Sequence, residues 1–319
     1  MPFVKNASYS FEHMQSAADP VRAVAEGSEH VVARQLLHAW TSLRFDPSRP
    51  VAELISALGA EVVPIERELV QAFTRGRVAM MRQISDSRVQ KAIPQIGIGF
   101  DTLPPQTEEQ AHATAAQLVR EVSDDLRTTI NGTVTDGLNE GLGPEEIAVN
   151  VRNGLGLTVS QSRAVASYRR ALVARSNDAL VRALRDRRFD PTVERAIASD
   201  TPLSPEQIDN FVGAYRRRYL NYRANTIARY EALNASNAGA LAELKTAVGD
   251  GRLPRHTKKR WLIAHDELTC PACRSIPHLQ PHGVPLDQDF QWEEGSRSGL
   301  VAAPALHPAC RCTVTFGVL

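Results

Sequence analysis

The sequence predicts a mainly α-helical protein, an elongated helical-bundle region that ends in a small cysteine-rich α+β module. Three observations predict it. Apolar residues over the first 250 positions recur near the 3.6 spacing of a helix face, with few alternating runs. Helix-start signals recur along the same stretch. In the last seventy residues that periodicity stops, seven prolines appear, and all four cysteines of the chain gather. The expected division is an N-terminal helical region over 1–91, a helical domain with a basic block over 92–252, and a Cys/His-rich module over 253–319.

Each element has a local reason. Val31, Ala33, Leu36, Leu37 and Trp40 form a helical stripe. The run Asp46-Pro47-Ser48-Arg49-Pro50 ends it, because neither proline can continue a helix and each biases its predecessor to extended backbone. A helix near 50–58 and a longer one from about 63 to 90 follow by the same periodicity. Residues 92–105 read as a short strand or extended loop, since Gly97 and Gly99 alternate with Ile96, Ile98 and Phe100 between prolines. Thr107 and Gln110 have capping-box spacing ahead of a helix over about 108–130. Gly143-Pro144-Glu145-Glu146 places proline at a first helical position and acids at the positive helix end. Ser160 is the expected cap of a helix reaching about Arg185. Ser204-Pro205-Glu206-Gln207 is the cleanest start, opening a helix that runs to about Val248, where Gly249-Asp250-Gly251 closes it. The ending Arg311-Cys312-Thr313-Val314-Thr315-Phe316 has strand propensity.

Composition narrows the function classes. Hydrophobic residues at 43% and charged residues at 23% describe a chain that folds, and aromatics at 6% require an aliphatic core. No apolar run approaches the roughly 18 residues of a membrane span. No apolar stretch follows Lys5, so no signal peptide is expected, and the expected compartment is a cytoplasm. The net charge of +1 gives no global field for nucleic acid, but it hides a division. Residues 1–160 carry a net −6, residues 161–260 a net +10 and residues 261–319 a net −3. Of the 37 basic side chains only five are lysine, a bias that fits a GC-rich genome or a demand for planar bidentate contacts.

The cysteines carry the strongest chemical signal. Cys270-Pro-Ala-Cys273 is followed after 36 residues by Cys310-Arg-Cys312, with His307 three positions before Cys310. A C-x2-C turn lets two thiolates meet one ion, and in a strand Cys310 and Cys312 face one side while Arg311 faces the other. Four sulfurs converging in a reducing compartment suit tetrahedral zinc, and closed coordination is structural rather than catalytic. His307 is the alternative ligand to Cys310 or Cys312, with Asp266, His278 and His282 as further donors nearby. A disulfide pairing, a redox C-x2-C and reduced thiols without metal are the competing readings. A module of this size buries little core and needs a staple.

The basic block contains Arg185, Arg187, Arg188, Arg216, Arg217, Arg218 and Arg223. These are the candidates for contact with nucleic acid or an acidic partner. The plainer reading makes them solvated helix faces paired with acids such as Asp186, Asp190 and Glu231. There is no P-loop, no G-x-G-x-x-G after a strand, no H-E-x-x-H and no G-x-S-x-G, so no enzyme is expected.

The run Trp261 … Asp266-Glu267-Leu268-Thr269-Cys270-Pro271-Ala272-Cys273, followed by Pro304-Ala305-Leu306-His307-Pro308-Ala309-Cys310-Arg311-Cys312, resembles the tailed-phage head morphogenesis proteins, the Mu F-like minor head proteins. Arg223–Glu231, Arg185–Val193 and Gly97–Asp101 extend the resemblance, which spans about 95–319; residues 1–90 match nothing in it. It implies a minor structural component of the phage head, present in several copies and located at the portal vertex in the virion after assembly in the host cytoplasm. Its implied partners are the portal protein, the major capsid protein and the packaged DNA, with roles in assembly, packaging or ejection. A zinc-ribbon nucleic-acid-binding protein is the alternative expectation, and a metal-dependent nuclease, drawn on His265-Asp266-Glu267, a weaker one.

Overall fold

A computed structural model describes residues 11–46, 48–85, 105–264, 269–308 and 310–317, and side chains from residue 20 onward except 105–116 and 119. The chain is mainly helical with a small β region, as the sequence predicts. The helices are α1 (Phe11–Ser42), α2 (Val51–Ile84), α3 (Pro105–Asn139), α4 (Pro144–Gly154), α5 (Val159–Val173), α6 (Asp190–Ala198) and α7 (Pro205–Gly249). The C-terminal module adds β1 (Lys258–Leu262), α8 (Pro271–Leu279), β2 (Val284–Pro285), β3 (Phe290–Glu294), β4 (Arg297–Val301) and β5 (Thr313–Gly317). Among the described residues no helix is long and apolar enough to cross a membrane.

Several boundaries differ from the sequence reading, for local reasons. One helix, α2, spans the helix expected near 50–58 and the second one as far as Ile84, with Pro64 accommodated inside it; residues 86–90 lie outside the described residues. α5 is capped by Thr158 rather than Ser160: its hydroxyl accepts from Gln161 N–H while the Gln161 side chain accepts from Thr158 N–H. α5 also ends at Val173 instead of near Arg185. Arg175 adopts a left-handed φ of 52°, and two 3-10 turns follow, each started by a side-chain cap from Ser176 or Asp186. The Ser204 start is as expected, with reciprocal bonds between Ser204 and Gln207. The extended segment expected at 92–105 falls almost wholly outside the described residues.

The chain forms two compact units, each assembled from separate stretches. Unit 2 takes residues 34–64 and 117–225. Its core is built on Leu36, Trp40, Leu58, Leu126, Ile130, Leu157, Val165, Tyr168, Leu172, Phe211 and Tyr215, all buried. Gly156, at φ +77°, lets the backbone turn against Trp40; a Cβ there would lie 2.6 Å from the indole.

Unit 1 takes residues 1–33, 65–116 and 226–319. Parts of α1, α2 and α7 pack side by side, and the module rests on them. Val21, Ala79, Met80, Ile84, Ala240, Leu244 and Ala247 from the three helices share one apolar cluster with Val314 of β5. The contact of α2 with α7 is backbone against backbone. A Cβ on Gly76 would lie 2.2 Å from Ser236 O, and one on Gly239 would lie 2.0 Å from Phe73 O. Glycine is required at both positions, and Ala232, Ser236 and Ala240 keep the rest of the α7 face small. A buried charge network crosses the same seam. Arg77 donates to Glu243 through Nη2 at 2.8 Å, and Arg252 donates to the other Glu243 oxygen at 2.9 Å. Glu29 of α1 receives Arg229 of α7 at 2.9 Å.

In the module, β1 is the centre of a three-stranded antiparallel sheet in the order β2-β1-β5, with Trp261 opposite Val314 and Lys259 opposite Phe316. β3 and β4 form a separate hairpin, and α8 packs on β3. Lys259 is buried at 1% exposure. Its ammonium donates to Ala302 O at 2.6 Å and lies 5.0 Å from the centre of the Phe290 ring. Burial pushes its pKa down to about 8, against a partial opposing pull from Asp289.

Two predictions follow from this packing. Gly239→Val forces the α2–α7 seam apart and lowers stability by about 3 kcal/mol or more, whereas Gly59→Ala, at an open mid-helix position, raises it by about 0.5–1 kcal/mol. Thermal or urea unfolding of both variants checks the pair. For Lys259, the unfolded chain binds more protons than the folded one between pH 8 and the ordinary lysine range, so its contribution to stability rises with pH across that window. Lys259→Met is therefore expected to be more stable than the wild type at pH 7, with an advantage that shrinks toward pH 10. An advantage independent of pH would refute the buried-ammonium account.

Candidate metal centre

The module brings the two cysteine pairs together. Cys270 is the N-cap of α8, followed by Pro271 at the first helical position, and its sulfur accepts from Cys273 N–H at 3.3 Å. That cap turns both sulfurs of the C-x2-C to one side. From the other end of the module, Cys310 N–H donates to His307 O, closing a turn that brings His307 and Cys310 back together. Cys310 and Cys312 precede β5 rather than lying in it as the sequence reading has them, because this turn takes up the backbone before the strand begins.

The donors converge around Cys273. Its sulfur lies 3.8 Å from Cys310 Sγ and 3.4 Å from His307 Nε2, and Cys270 Sγ lies 3.0 Å from the same nitrogen. Two overlapping triples result, Cys270/Cys273/His307 and Cys273/Cys310/Cys312, with Cys273 common to both. His307 Nδ1 lies 2.7 Å from Pro308 O, which fixes the proton on Nδ1 and leaves Nε2 as an acceptor turned toward the sulfurs. These five side chains can bind a metal ion. Cys273, Cys310 and Cys312 are buried, while Cys270 and His307 are half-buried. All four cysteines are free thiols.

The electrostatics of the cluster favour a cation. Hydrogen bonding to Cys310 and Cys312, together with burial, holds Cys273 protonated, and Cys312 is also pushed up. Cys310 is the sulfur pushed down, as the thiolate that receives its neighbours' hydrogen bonds. Several thiolates in so small a buried volume repel one another unless a positive ion sits among them.

Helix α7 holds the second cysteine pair in place through residues that sequence reasoning missed. Asn237 is fully buried. Its amide donates to Leu233 O at 3.0 Å and toward Cys312 O at 3.4 Å, and its oxygen accepts from Val314 N–H at 2.8 Å. One turn earlier, Asn234 accepts from Ala305 N–H at 2.9 Å. The loop between Ala305 and Val314 is thus tied to the helix on both sides of His307 and Cys310. Two asparagines three apart in an otherwise small, apolar stretch of α7 were the available signal. Beneath the centre, Trp261, Ile276, Val284 and Phe290 form an apolar floor, with the Trp261 and Phe290 rings edge to face at 5.4 Å.

Other sequence candidates lie elsewhere. His278 and His282 are exposed and outside both triples, and His265, Asp266 and Glu267 fall among the residues not described. In unit 2 the structure divides the seven arginines by use. Arg223 is buried, donates to Gly156 O at 2.7 Å, pairs with Asp125 and covers the Trp40 ring at 5.0 Å. Arg216 donates to Asn153 O and Leu155 O, both at 3.0 Å. Arg185 forms a two-bond pair with Asp190. Arg188 and Arg218 both lean on Asp186, whose carboxyl they hold down to about 2, the Arg188 hydrogen bond being the largest cause. Arg187 and Arg217 are exposed. Arg216 and Arg223 are thus internal struts rather than a surface for a partner.

Asn237→Ala strands the buried N–H of Val314 and the carbonyl of Cys312. The expected loss is about 1–3 kcal/mol. It should appear as faster amide exchange over residues 305–314 than in the wild type, with the α2–α7 seam unchanged; unaltered exchange there would remove the strut role. Comparison with protein-family models, with curated proteins and with solved structures finds no match for this chain.

Proposed function

We propose that this chain is a structural, non-enzymatic minor head protein of a tailed bacteriophage, and that its C-terminal module is closed by one structural zinc ion. The observation that carries the reading is the meeting of two donor triples, Cys270/Cys273/His307 and Cys273/Cys310/Cys312, at Cys273. These are the residues of the motif that resembles the head morphogenesis proteins. A tetrahedral zinc ion with sulfur at about 2.3 Å and nitrogen at about 2.0 Å separates its ligands by about 3.8 Å (S···S) and about 3.5 Å (S···N). The distances of 3.8 and 3.4 Å around Cys273 match that geometry, while Cys270 Sγ and His307 Nε2, at 3.0 Å, move apart to share the ion. Thiolates with one imidazole are also the soft donor set that zinc takes in structural sites.

In this reading the module offers a rigid docking surface for the portal vertex or the inner capsid. The exposed Arg187 and Arg217, beside Arg188 and Arg218 that share Asp186, offer contacts for an acidic partner or packaged DNA. The protein assists head assembly, DNA packaging or ejection. A closed four-ligand ion leaves no open position for a water, which argues against a hydrolytic role.

The test is made on particles from cells that produce the protein. Mass spectrometry of procapsids and mature heads should find this chain at a few copies per particle, at or below the portal count. Absence from both would overturn the head assignment. Metal analysis of the purified chain should find one zinc per molecule, and a chelator should melt the module, because at such sites metal affinity is largely folding free energy.

A further inference from the structure

The β3–β4 hairpin has one closed edge and one open edge. α8 closes the β3 side: Gln280 Oε1 accepts from Gln291 N–H at 3.2 Å, and Ser275 Oγ accepts from Glu293 N–H at 2.8 Å. Both N–H groups therefore point away from β4. Gln291 stands opposite Leu300, and Glu293 opposite Ser298. In an antiparallel ladder, the two residues of such a pair turn their backbone groups away from each other. The N–H and C=O of Ser298 and Leu300 are thus the outer edge of β4. Among the described residues β4 pairs only with β3, and nothing bonds to these four groups. Both residues are exposed, Leu300 at 70%. The edge has none of the usual guards, such as a proline, a lysine or a bulge. Its one charge, Arg297, lies at the turn and is paired with Glu294.

We propose that β4 is a self-association edge, to which a second copy of this chain adds its own β4, antiparallel, about a twofold axis at Gly299. The surface is separate from the cysteine cluster, and the inference depends on neither the metal nor the head assignment. The register selects the occupant. With the axis at Gly299, Ser298 of each copy faces Leu300 of the other, and each such pair exchanges two hydrogen bonds. All four outward groups of each strand are then used. Moving one strand by two residues sets Leu300 against Ser296 in the turn, or Ser298 against Ala302 beyond the strand.

The side chains agree with this register. The two exposed leucines lie diagonally across the axis, within reach of each other, and Arg297 faces Val301, so no like charges stand opposite. Gly299 brings no side chain to the axis. The Trp292 indole of its own hairpin lies against it, where a Cβ would meet the ring nitrogen at 2.9 Å, and braces the strand. Charge also favours a copy. The Arg297–Glu294 pair leaves the edge without net charge, so it neither draws an acidic or basic peptide nor repels its own kind. Two paired five-residue strands bury less than the roughly 1,200 Å² of a stable dimer. The association is accordingly weak and reversible, with a Kd of about 100 μM or higher for the isolated chain.

The experiment uses the full-length chain at rising concentration. Sedimentation velocity should show a monomer in the low micromolar range and a growing dimer toward millimolar. Amide exchange, read residue by residue, should slow with concentration at Ser298 and Leu300. It should stay constant at Gly299 and Val301, whose N–H groups face β3. Ser298→Pro removes one outward donor at a position the β3 ladder does not use, so it should keep the unfolding midpoint and lose the dimer. Leu300→Lys sets two ammonium groups across the axis and should do the same with the backbone unaltered. A dimer that survives both substitutions, or one without protection at Ser298 and Leu300, would place association on another surface and overturn the proposal. A monomer at every concentration would overturn it as well, and protection of the same two amides by a partner protein alone would assign the edge to a foreign strand instead.

Discussion

The direct backbone contact between α2 and α7 is the constraint on which the rest of unit 1 depends. Gly76 against Ser236 and Gly239 against Phe73 bring two helices closer than side chains would allow. That approach aligns the α7 face from Leu233 to Leu244, which then performs three tasks at once. It supplies Leu233 to the floor of the cysteine cluster and Ala240 and Leu244 to the neighbouring apolar cluster. It also aims Asn234 and Asn237 at the loop that carries His307 and Cys310. A shift of α7 by even half a turn would exchange asparagine for alanine at the loop, and the backbone groups of Ala305 and Val314 would lose their partners. The module is small, and among the described residues it has one three-stranded sheet and one hairpin. Its order is borrowed from a helix seam outside it as well as from its own cluster of donors.

Charge in this protein is mostly architecture. Arg77, Glu243 and Arg252 lie buried across one seam, and Arg223 bridges Trp40, Gly156 and Asp125 in the other unit. Arginine suits this use because its planar group can stack on an aromatic face while donating in several directions, which a lysine ammonium cannot. A buried pair of this kind contributes less to stability than its Coulomb attraction suggests, since both ions were solvated before folding. Its stronger effect is on register: Glu243 accepts from both Arg77 and Arg252, so a slipped packing of α2 on α7 would leave a buried charge without a partner.

The mainly helical class and the small terminal module were legible because periodicity and the proline and cysteine distribution are local properties. The Ser204 cap, the start at Pro144 and the convergence of the two cysteine pairs were readable for the same reason. What stayed hidden was long-range. Nothing near residue 76 announces Ser236 as its neighbour, and a glycine inside a helix reads as a mild defect until its partner backbone is known. Thr158 prevailed over Ser160 as a cap because Gln161 stands three residues after it and completes the reciprocal pair, whereas Arg163, three residues after Ser160, has no acceptor to return. The long helix expected to Arg185 stops early because Arg175 takes a left-handed turn that its side chain does not advertise. The seven arginines were visible, but which of them serve as internal struts depends on carbonyls at Asn153, Leu155 and Gly156, far away in sequence. Lys259 was counted among the basic residues, and only the Phe290 ring and the Ala302 carbonyl reveal it as a core residue.

The discontinuous make-up of unit 1 has a consequence for how the chain is made. Its N-terminal helices must wait for residues beyond 225 before they can complete a core, so a ribosome releases well over a hundred residues while Val21, Met80 and Ile84 remain uncovered. Contacts of such sequence separation slow folding and prolong the exposure of apolar helix faces. Synthesis rate and chaperone supply therefore bear directly on the yield of this protein, and residues 34–64 and 117–225, which are complete far earlier, can fold while the rest is still being translated.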